Sequence, residues 1–168
     1  SLILKLKEEN KLKDPVLVVC PTTLMGNWIK ELNMFAPSLK ASAYHGPERQ
    51  LDLKADVLIT TFAILRIDIE EVKKTTWGMV VIDEAQNIKN PIAGVTKTVK
   101  TINANCKIAL TGTPIENSVI ELWSIFDYIM PGFLTNLTKF QTNYNIKEFN
   151  DEKLNTLNNL NIQISPFI

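Results

Sequence analysis

Apolar residues arrive along this chain in short, dense bursts separated by stretches of helical spacing. The bursts are PVLVVC (15–20), KASAYH (40–45), DVLITT (56–61), GMVVID (78–83) and CKIALT (106–111). Several are apolar at consecutive positions, so both faces of the strand need cover, which suits a parallel sheet between helices. Between the bursts, Leu24, Trp28, Leu32 and Phe35 recur at helical intervals, as do Val95, Val99 and Ile102, and Val119, Leu122, Trp123 and Phe126. Trp28 shares a face with Leu24 and Leu32, which predicts a core tryptophan in preference to a base-stacking platform. Asn90-Pro91 predicts a helix start, with Asn as cap and Pro at the first helical position. The alternation of strands and helices predicts an α/β fold, a parallel sheet flanked by helices on both faces.

The two ends read differently. Residues 1–13 (SLILKLKEENKLK) predict a helix with Leu2, Ile3 and Leu6 on its apolar side and Lys5, Lys7, Lys11 and Lys13 as a solvated face. After Pro131 the chain turns rich in Asn, Thr and Lys, which predicts short helices without a second core. The expected organisation is a sheet-bearing lobe over 1–134 and a helical appendage over 135–168.

Composition narrows the picture. At 168 residues and 45% hydrophobic content the chain can bury one sizeable core. Lys plus Arg and Asp plus Glu are 18 each, so there is no global basic field and any nucleic-acid contact must be a local patch. Cys20 and Cys106 both adjoin apolar runs and predict buried free thiols in a reducing compartment. No apolar run approaches a membrane span and the N-terminus is too charged for a signal peptide, so a soluble intracellular protein is expected. The first residue is Ser, which suggests a chain that begins within a longer gene.

The chemistry concentrates in GMVVIDEAQNIKN (78–90) and ALTGTPIEN (109–117). Val80, Val81 and Ile82 favour a buried strand, whereas Asp83 and Glu84 need water, a cation or a donor. Acids delivered to the carboxyl end of a parallel strand lie where α/β folds place ligand chemistry. Asp83 suits Mg²⁺, an ion that takes one or two carboxylates together with phosphate oxygens, and Glu84 suits the polarisation of a water. The local alternative for Asp83 is a cap on the following turn. Thr111, Gly112 and Thr113 form a second element, whose hydroxyls can bond a neighbouring acid or phosphate. Here Thr113 with Glu116 also fits a capping box with Pro114 at the first helical position, and Ser118 with Glu121 a second one. Pro21, Thr22 and Thr23, and likewise Thr60 and Thr61, follow strands and suit either phosphate contact or helix capping. His45 has no ligand partner at metal-binding spacing.

Taken together these segments resemble the SWI/SNF-like ATPases of helicase superfamily two. CPTTLMGNWIKEL resembles that family's motif Ia, DVLITTFAIL motif Ib, VVIDEAQNIKN motif II, and IALTGTPIENSVIELWSIFDYIMPGFL motif III with its following helix. The resemblance implies the first RecA-like lobe, of the P-loop NTPase kind, of an ATP-dependent double-stranded DNA translocase or remodelling enzyme. It implies ATP and Mg²⁺ as cofactors, with Asp83 as metal ligand, Glu84 activating water and Gln86 beside the nucleotide. It further implies that Thr111, Gly112 and Thr113 couple nucleotide state to DNA grip. Pro21, Thr22, Thr23, Thr60 and Thr61 match positions near a DNA backbone read without sequence preference. A second RecA-like lobe is the implied intramolecular partner, with no membrane role. The cellular site would be the nucleoid-bearing cytoplasm in a bacterium or archaeon, or the nucleus in a eukaryote.

Departures from the family shape the remaining expectations. No G-x-x-x-x-G-K-[ST] phosphate loop occurs, and the resemblance places residue 1 just behind that loop and ISPFI just before the second lobe. The chain alone is therefore expected to show no DNA-stimulated ATP hydrolysis, because Asp83 would act on phosphates held elsewhere. Weak, salt-sensitive, sequence-independent DNA contact is expected. An apolar strand such as 15–20 or 78–83 is expected to keep one unpaired side, which favours self-association. Thr135 stands where the family has a glycine after PGFL. The alternative reading of the chain is a catalytically silent module that binds DNA or a protein partner, and an in-frame phosphate loop upstream would decide between the two.

Overall fold

In a computed structural model of the protein, residues 2–112, 119–144 and 151–168 are described, with the side chains of 151–157 excepted. Five strands form one wholly parallel sheet in the order β2-β3-β1-β4-β5. They are β1 (Val16–Cys20), β2 (Ala41–Ala43), β3 (Val57–Thr61), β4 (Trp77–Ile82) and β5 (Ala104–Ala109). All five lie on the runs marked by the apolar pattern, with boundaries moved by a few residues. The helices are α1 (Leu2–Glu8), α2 (Met25–Phe35), α3 (Phe62–Ile67), α4 (Ile69–Val72), α5 (Gly94–Lys100), α6 (Val119–Ile129), α7 (Leu137–Tyr144) and α8 (Asp151–Ile164).

The sheet separates two layers of core. On one face Leu17, Val19, Leu58, Val80 and Ile82 meet Leu65 of α3, Val72 of α4, Val99 of α5 and Ile125 and Tyr128 of α6. On the other, Val16, Val18, Val57, Ile59, Met79 and Val81 meet Ile3 of α1 and Met25 and Leu32 of α2. This two-sided burial is why β1, β3 and β4 read as unbroken apolar runs. A smaller cluster joins Leu122, Trp123 and Phe126 of α6 to Leu134, Phe140, Leu160 and Ile164. The C-terminal helices thus pack on α6 and leave the sheet to the others.

Several local expectations are corrected. β1 pairs with both β3 and β4, and β4 with both β1 and β5, so neither 15–20 nor 78–83 has an unpaired side. The sheet edges are β2 and β5, the two strands whose residues are only partly covered. The physical rule is the one already used: strands apolar on both faces go to the centre, and mixed strands such as ANCKIA are left at the rim. Cys106 lies on β5 in register with Met79, past the reach of the α1–α2 layer, and is exposed; Cys20 on central β1 is buried. Helix α1 stops at Glu8, well before residue 13, because Asn10 takes φ 55° and Lys11 N–H reaches back to the Leu6 carbonyl at 2.9 Å. That is a left-handed C-terminal cap with Asn in the place usually taken by glycine. Asn90 caps a turn and not the helix: its side-chain oxygen accepts the Ile92 amide at 3.1 Å, and α5 begins at Gly94.

Gly78 is required by space. A Cβ there would lie 2.6 Å from the Asp14 carbonyl and 2.7 Å from Leu12 Cδ1. The glycine lets the segment before β1 cross tightly against the start of β4, where Gly78 N–H donates to the Pro15 carbonyl at 2.9 Å.

Candidate active site at the strand ends

β4 ends at Ile82, and Asp83 and Glu84 follow on the rim of the sheet. Both neighbouring strands hold this rim. Asp83 N–H donates to the Val19 carbonyl at 2.9 Å, Leu110 N–H to Ile82 at 2.8 Å, and Ala85 N–H to Leu110 at 2.8 Å. The acids therefore sit on backbone that is tied to β1 on one side and to the end of β5 on the other. Both side chains are partly buried, a compromise between the apolar strand below and the water their charges need.

Each carboxylate has a defined set of donors. Asp83 Oδ1 accepts its neighbour's amide, Glu84 N–H, at 2.9 Å, and Oδ2 accepts the indole N–H of Trp28 at 2.8 Å. Glu84 Oε2 accepts the side-chain amide of Gln86. The other end of that amide, Gln86 Oε1, accepts the Thr111 hydroxyl at 3.2 Å. One amide thus bridges the acid pair of β4 to the loop after β5. Glu84 adopts φ 54°, ψ 57°, the left-handed region that side-chain-bearing residues seldom occupy. Its carbonyl accepts from Asn87 N–H at 3.0 Å and from Asn87 Nδ2 at 2.8 Å, so the following short helix (Ala85–Ile88) locks the unusual turn.

Beside the acids opens a cavity of about 490 Å³, whose lining includes Asp83, Glu84, Thr111, Gly112, Phe126 and Phe167. Leu122, Ile125, Phe126 and Ile129 of α6 supply its apolar wall. Helix α6 is held under the site by Ser124, which donates to the Ile88 carbonyl at 2.6 Å, and by Tyr128, which donates to Val80 at 3.1 Å. Below Asp83, burial and then the nearby Asp83 charge push the Cys20 thiol up to about 11, so it stays protonated and inert.

The donor set fits a hard divalent cation. A carboxylate offers about four lone-pair directions, and the two oxygens of Asp83 each spend one, so accepting positions remain on both. Oxygen donors of this kind suit Mg²⁺.

Asp83, Glu84, Gln86 and Thr111 come together, with Gly112 beside them; Thr113 and its companions Pro114, Glu116 and Ser118 lie outside the described residues. Pro21, Thr22 and Thr23 form the turn from β1 into α2, with the two threonines exposed. Thr60 and Thr61 are buried: the Thr60 hydroxyl donates to the Tyr44 carbonyl at 2.9 Å, and Thr61 caps α3 by accepting the Ile64 amide at 3.2 Å. Trp28, expected in the core, is partly buried against it, and its N–H points to Asp83. Helical spacing showed its apolar neighbours, but the indole N–H is a polar handle that spacing ignores.

A five-stranded parallel sheet with acids at the carboxyl end of a central strand, covered by helices on both faces, is a RecA-like lobe. A family model described as the SNF2-related domain matches residues 1–168, and the chain belongs to that family. The Sulfolobus solfataricus SWI2/SNF2 ATPase core, solved in complex with double-stranded DNA, superimposes with a TM-score of 0.88 at 40% identity, covering 99% of this chain and 35% of that one. Among curated relatives, the putative ATP-dependent helicase/translocase YwqA of Bacillus subtilis is 37% identical over 100% of this chain and 19% of its own length. The TATA-binding protein-associated factor mot1 of Schizosaccharomyces pombe is 46% identical over 77% of this chain and 7% of its own. The chain thus spans between about a fifteenth and about a third of the relatives it matches. The family is one of helicase-like hydrolases, and among the described residues no helix is long and apolar enough to cross a membrane.

Proposed function

We propose that these residues form the water-activating and metal-holding side of the ATP site in a double-stranded DNA translocase that remodels protein–DNA complexes. The observation that carries the reading is the hydrogen-bonded set Asp83–Glu84–Gln86–Thr111 at the strand ends, built on backbone tied to β1 and β5. Asp83 would hold Mg²⁺ beside the nucleotide, where the ion supplies neutralisation of phosphate charge. Glu84 orients water and accepts its proton; Gln86 fixes the carboxylate that does so. Thr111 and Gly112, with Thr113, form the coupling element, since a shift of the loop after β5 alters the donor set of Glu84 through Gln86.

Contact with the DNA backbone falls to Pro21, Thr22 and Thr23, whose turn is exposed and carries hydroxyls suited to phosphate oxygens. Thr60 and Thr61 serve the same surface from within, holding the loop after β3 against Tyr44 and α3. Contacts of this kind carry no base information, so binding should be independent of sequence and weaken with salt. The second lobe of the parent protein would close over the acids.

The test is DNA-stimulated ATP hydrolysis by the natural protein that contains these residues. Glu84→Gln should lower turnover by about 10²–10⁴-fold, the usual contribution of a positioned acid or base, with ATP binding retained. Asp83→Asn should lower it as well and raise the Mg²⁺ requirement. Full turnover in both variants would remove the acid pair from the chemistry.

A further inference from the structure

We infer that Trp28 is a positioning residue for the metal ligand: its indole N–H holds the Asp83 carboxylate in the orientation that presents its open lone pairs to a divalent cation. The inference rests on the proposed role of Asp83 and adds to it. Three observations lead there. The bond from Trp28 Nε1 to Asp83 Oδ2 is 2.8 Å long and joins residues 55 apart in sequence, on different elements. Asp83 Oδ1 is held independently by the Glu84 amide at 2.9 Å, so the two contacts pin both oxygens and fix the plane of the carboxylate. The indole itself cannot drift, because its helix is anchored in the core by buried Met25 and Leu32, and Trp28 packs against the same cluster.

The other tryptophans show that this is not simply how the protein disposes of indole groups. Trp77 gives its N–H to the Val72 carbonyl and Trp123 to the Thr135 carbonyl, both backbone acceptors in their own neighbourhood. Trp28 alone of the three donates to a carboxylate, and the carboxylate is the one at the end of β4. A small open pocket beside them, lined by Leu24, Asn27, Trp28, Glu31 and Asp83, leaves the pair accessible to ions from solvent. A donor to a metal-binding carboxylate that is removed commonly costs 10–100-fold in metal affinity, because the ligand must then be ordered by the metal alone.

The experiment compares wild type, Trp28→Phe, Trp28→His and Asp83→Asn in the natural protein that contains these residues. The first readout is the Mg²⁺ dependence of DNA-stimulated ATP hydrolysis. Trp28→Phe keeps the ring and loses the donor, and should raise the Mg²⁺ concentration for half-maximal rate by about 10-fold or more while turnover at saturating Mg²⁺ falls by less than about 3-fold. Trp28→His, which restores a ring N–H, should recover part of that shift, a rescue that packing alone would not produce. The second readout needs no turnover. Paramagnetic Mn²⁺, added with a non-hydrolysable ATP analogue, should quench part of the tryptophan emission of the wild type saturably. Asp83→Asn should abolish that quenching, and in Trp28→Phe it should be absent because the emitter is gone. If Asp83→Asn is inactive but Trp28→Phe matches wild type in Mg²⁺ dependence, the positioning role is wrong and the proposed site stands; if Mn²⁺ leaves wild-type emission unchanged, the metal is not held at Asp83 and both are wrong. If Asp83→Asn hydrolyses ATP as wild type does, the proposed site itself is wrong.

Discussion

Glu84 occupies a backbone conformation that its own side chain makes costly, and replacing it separates that cost from its chemistry. At φ 54°, ψ 57° a residue with a Cβ is destabilised by about 1–2 kcal/mol relative to the right-handed region. Glu84→Ala and Glu84→Gly both remove the carboxylate and its bond from Gln86. Both keep the backbone contacts that impose the turn, namely Glu84 N–H to Asp83 and the two Asn87 donors to the Glu84 carbonyl. The alanine variant keeps the strain, while the glycine variant releases it at an entropic cost of about 0.5–1 kcal/mol. Glycine should therefore be the more stable of the two by about 0.5–1 kcal/mol. That corresponds to roughly 1–4 °C in melting temperature for a domain of this size. Denaturant titration and thermal melting of the two variants under identical conditions read the difference directly. Both variants should lack turnover in the natural protein, so stability and activity move apart. An alanine variant equal to or more stable than the glycine variant would refute the reasoning. It would mean that the carboxylate, and not the surrounding hydrogen bonds, drives residue 84 into the left-handed region.

The same backbone argument applies to a place with no proposed chemistry: Thr135 is exposed at φ 65°, so Thr135→Gly should raise stability by about 0.5–1 kcal/mol in denaturant titration, and a loss would show that the turn depends on the threonine. Gly78→Ala should lower stability by about 1–3 kcal/mol, since the added Cβ meets the Asp14 carbonyl and Leu12; a neutral result would mean that the β4 start can move away from the chain before β1. In the native protein near pH 8 a thiol reagent should label Cys106 and leave Cys20 unmodified, as mass spectrometry of the peptides would show; equal labelling would contradict the burial of β1. The folded state keeps the Cys20 proton up to about pH 11 against 9.0 when unperturbed, so it binds more protons than the unfolded chain between those values. The stability contributed at Cys20 is accordingly complete below about pH 9 and falls as the pH rises toward 11. The stability gap between wild type and Cys20→Ala should narrow over that window, and a constant gap would contradict the shift.

Much of this fold is legible in the chain because its central strands are apolar at every position. A run such as VLVVC has one stable place, the middle of a covered parallel sheet, and β1, β3 and β4 are found there. Strand order is not legible in the same way, since it depends on which crossovers pack best; that is why an open side was expected on runs that turn out to be central. The mixed composition of KASAYH and ANCKIA was the available sign of the edges. At the site, Asp83 and Glu84 stand out as charges at the end of an apolar strand. The bridging amide of Gln86 and the indole of Trp28 do not, because their partners are 25 and 55 positions away in sequence and only the sheet brings them together. The threonine pairs beside the ends of β1 and β3 look alike in sequence, yet 22 and 23 are exposed and 60 and 61 buried, because the first pair opens a turn over the surface and the second ends a strand beside Tyr44.

Strand order also explains how a chain without net charge can hold two different polar surfaces. Along the carboxyl rim the elements run Thr60–Thr61 at the end of β3, Pro21–Thr23 after β1, Asp83–Glu84 after β4 and Thr111–Gly112 after β5. Neighbouring strands are about 4.8 Å apart, so the four stand within roughly 14 Å of one another. On the proposed reading the DNA-facing turns occupy one half of this row and the nucleotide-facing groups the other, and β1 and β4 meet at the boundary. Hydrogen bonds between neighbours are then enough to connect the halves. Trp28 reaches from the helix that follows Thr22–Thr23 to Asp83, and Gln86 reaches from Glu84 to Thr111. Each bridge is a single side chain, so a displacement of the turn before α2 would cost Asp83 its indole donor, and one of the loop after β5 would release Gln86, the donor to Glu84, from Thr111. Leaving a partly buried charge short of a donor is costly, which makes the acid pair sensitive to both loops without any long path through the core.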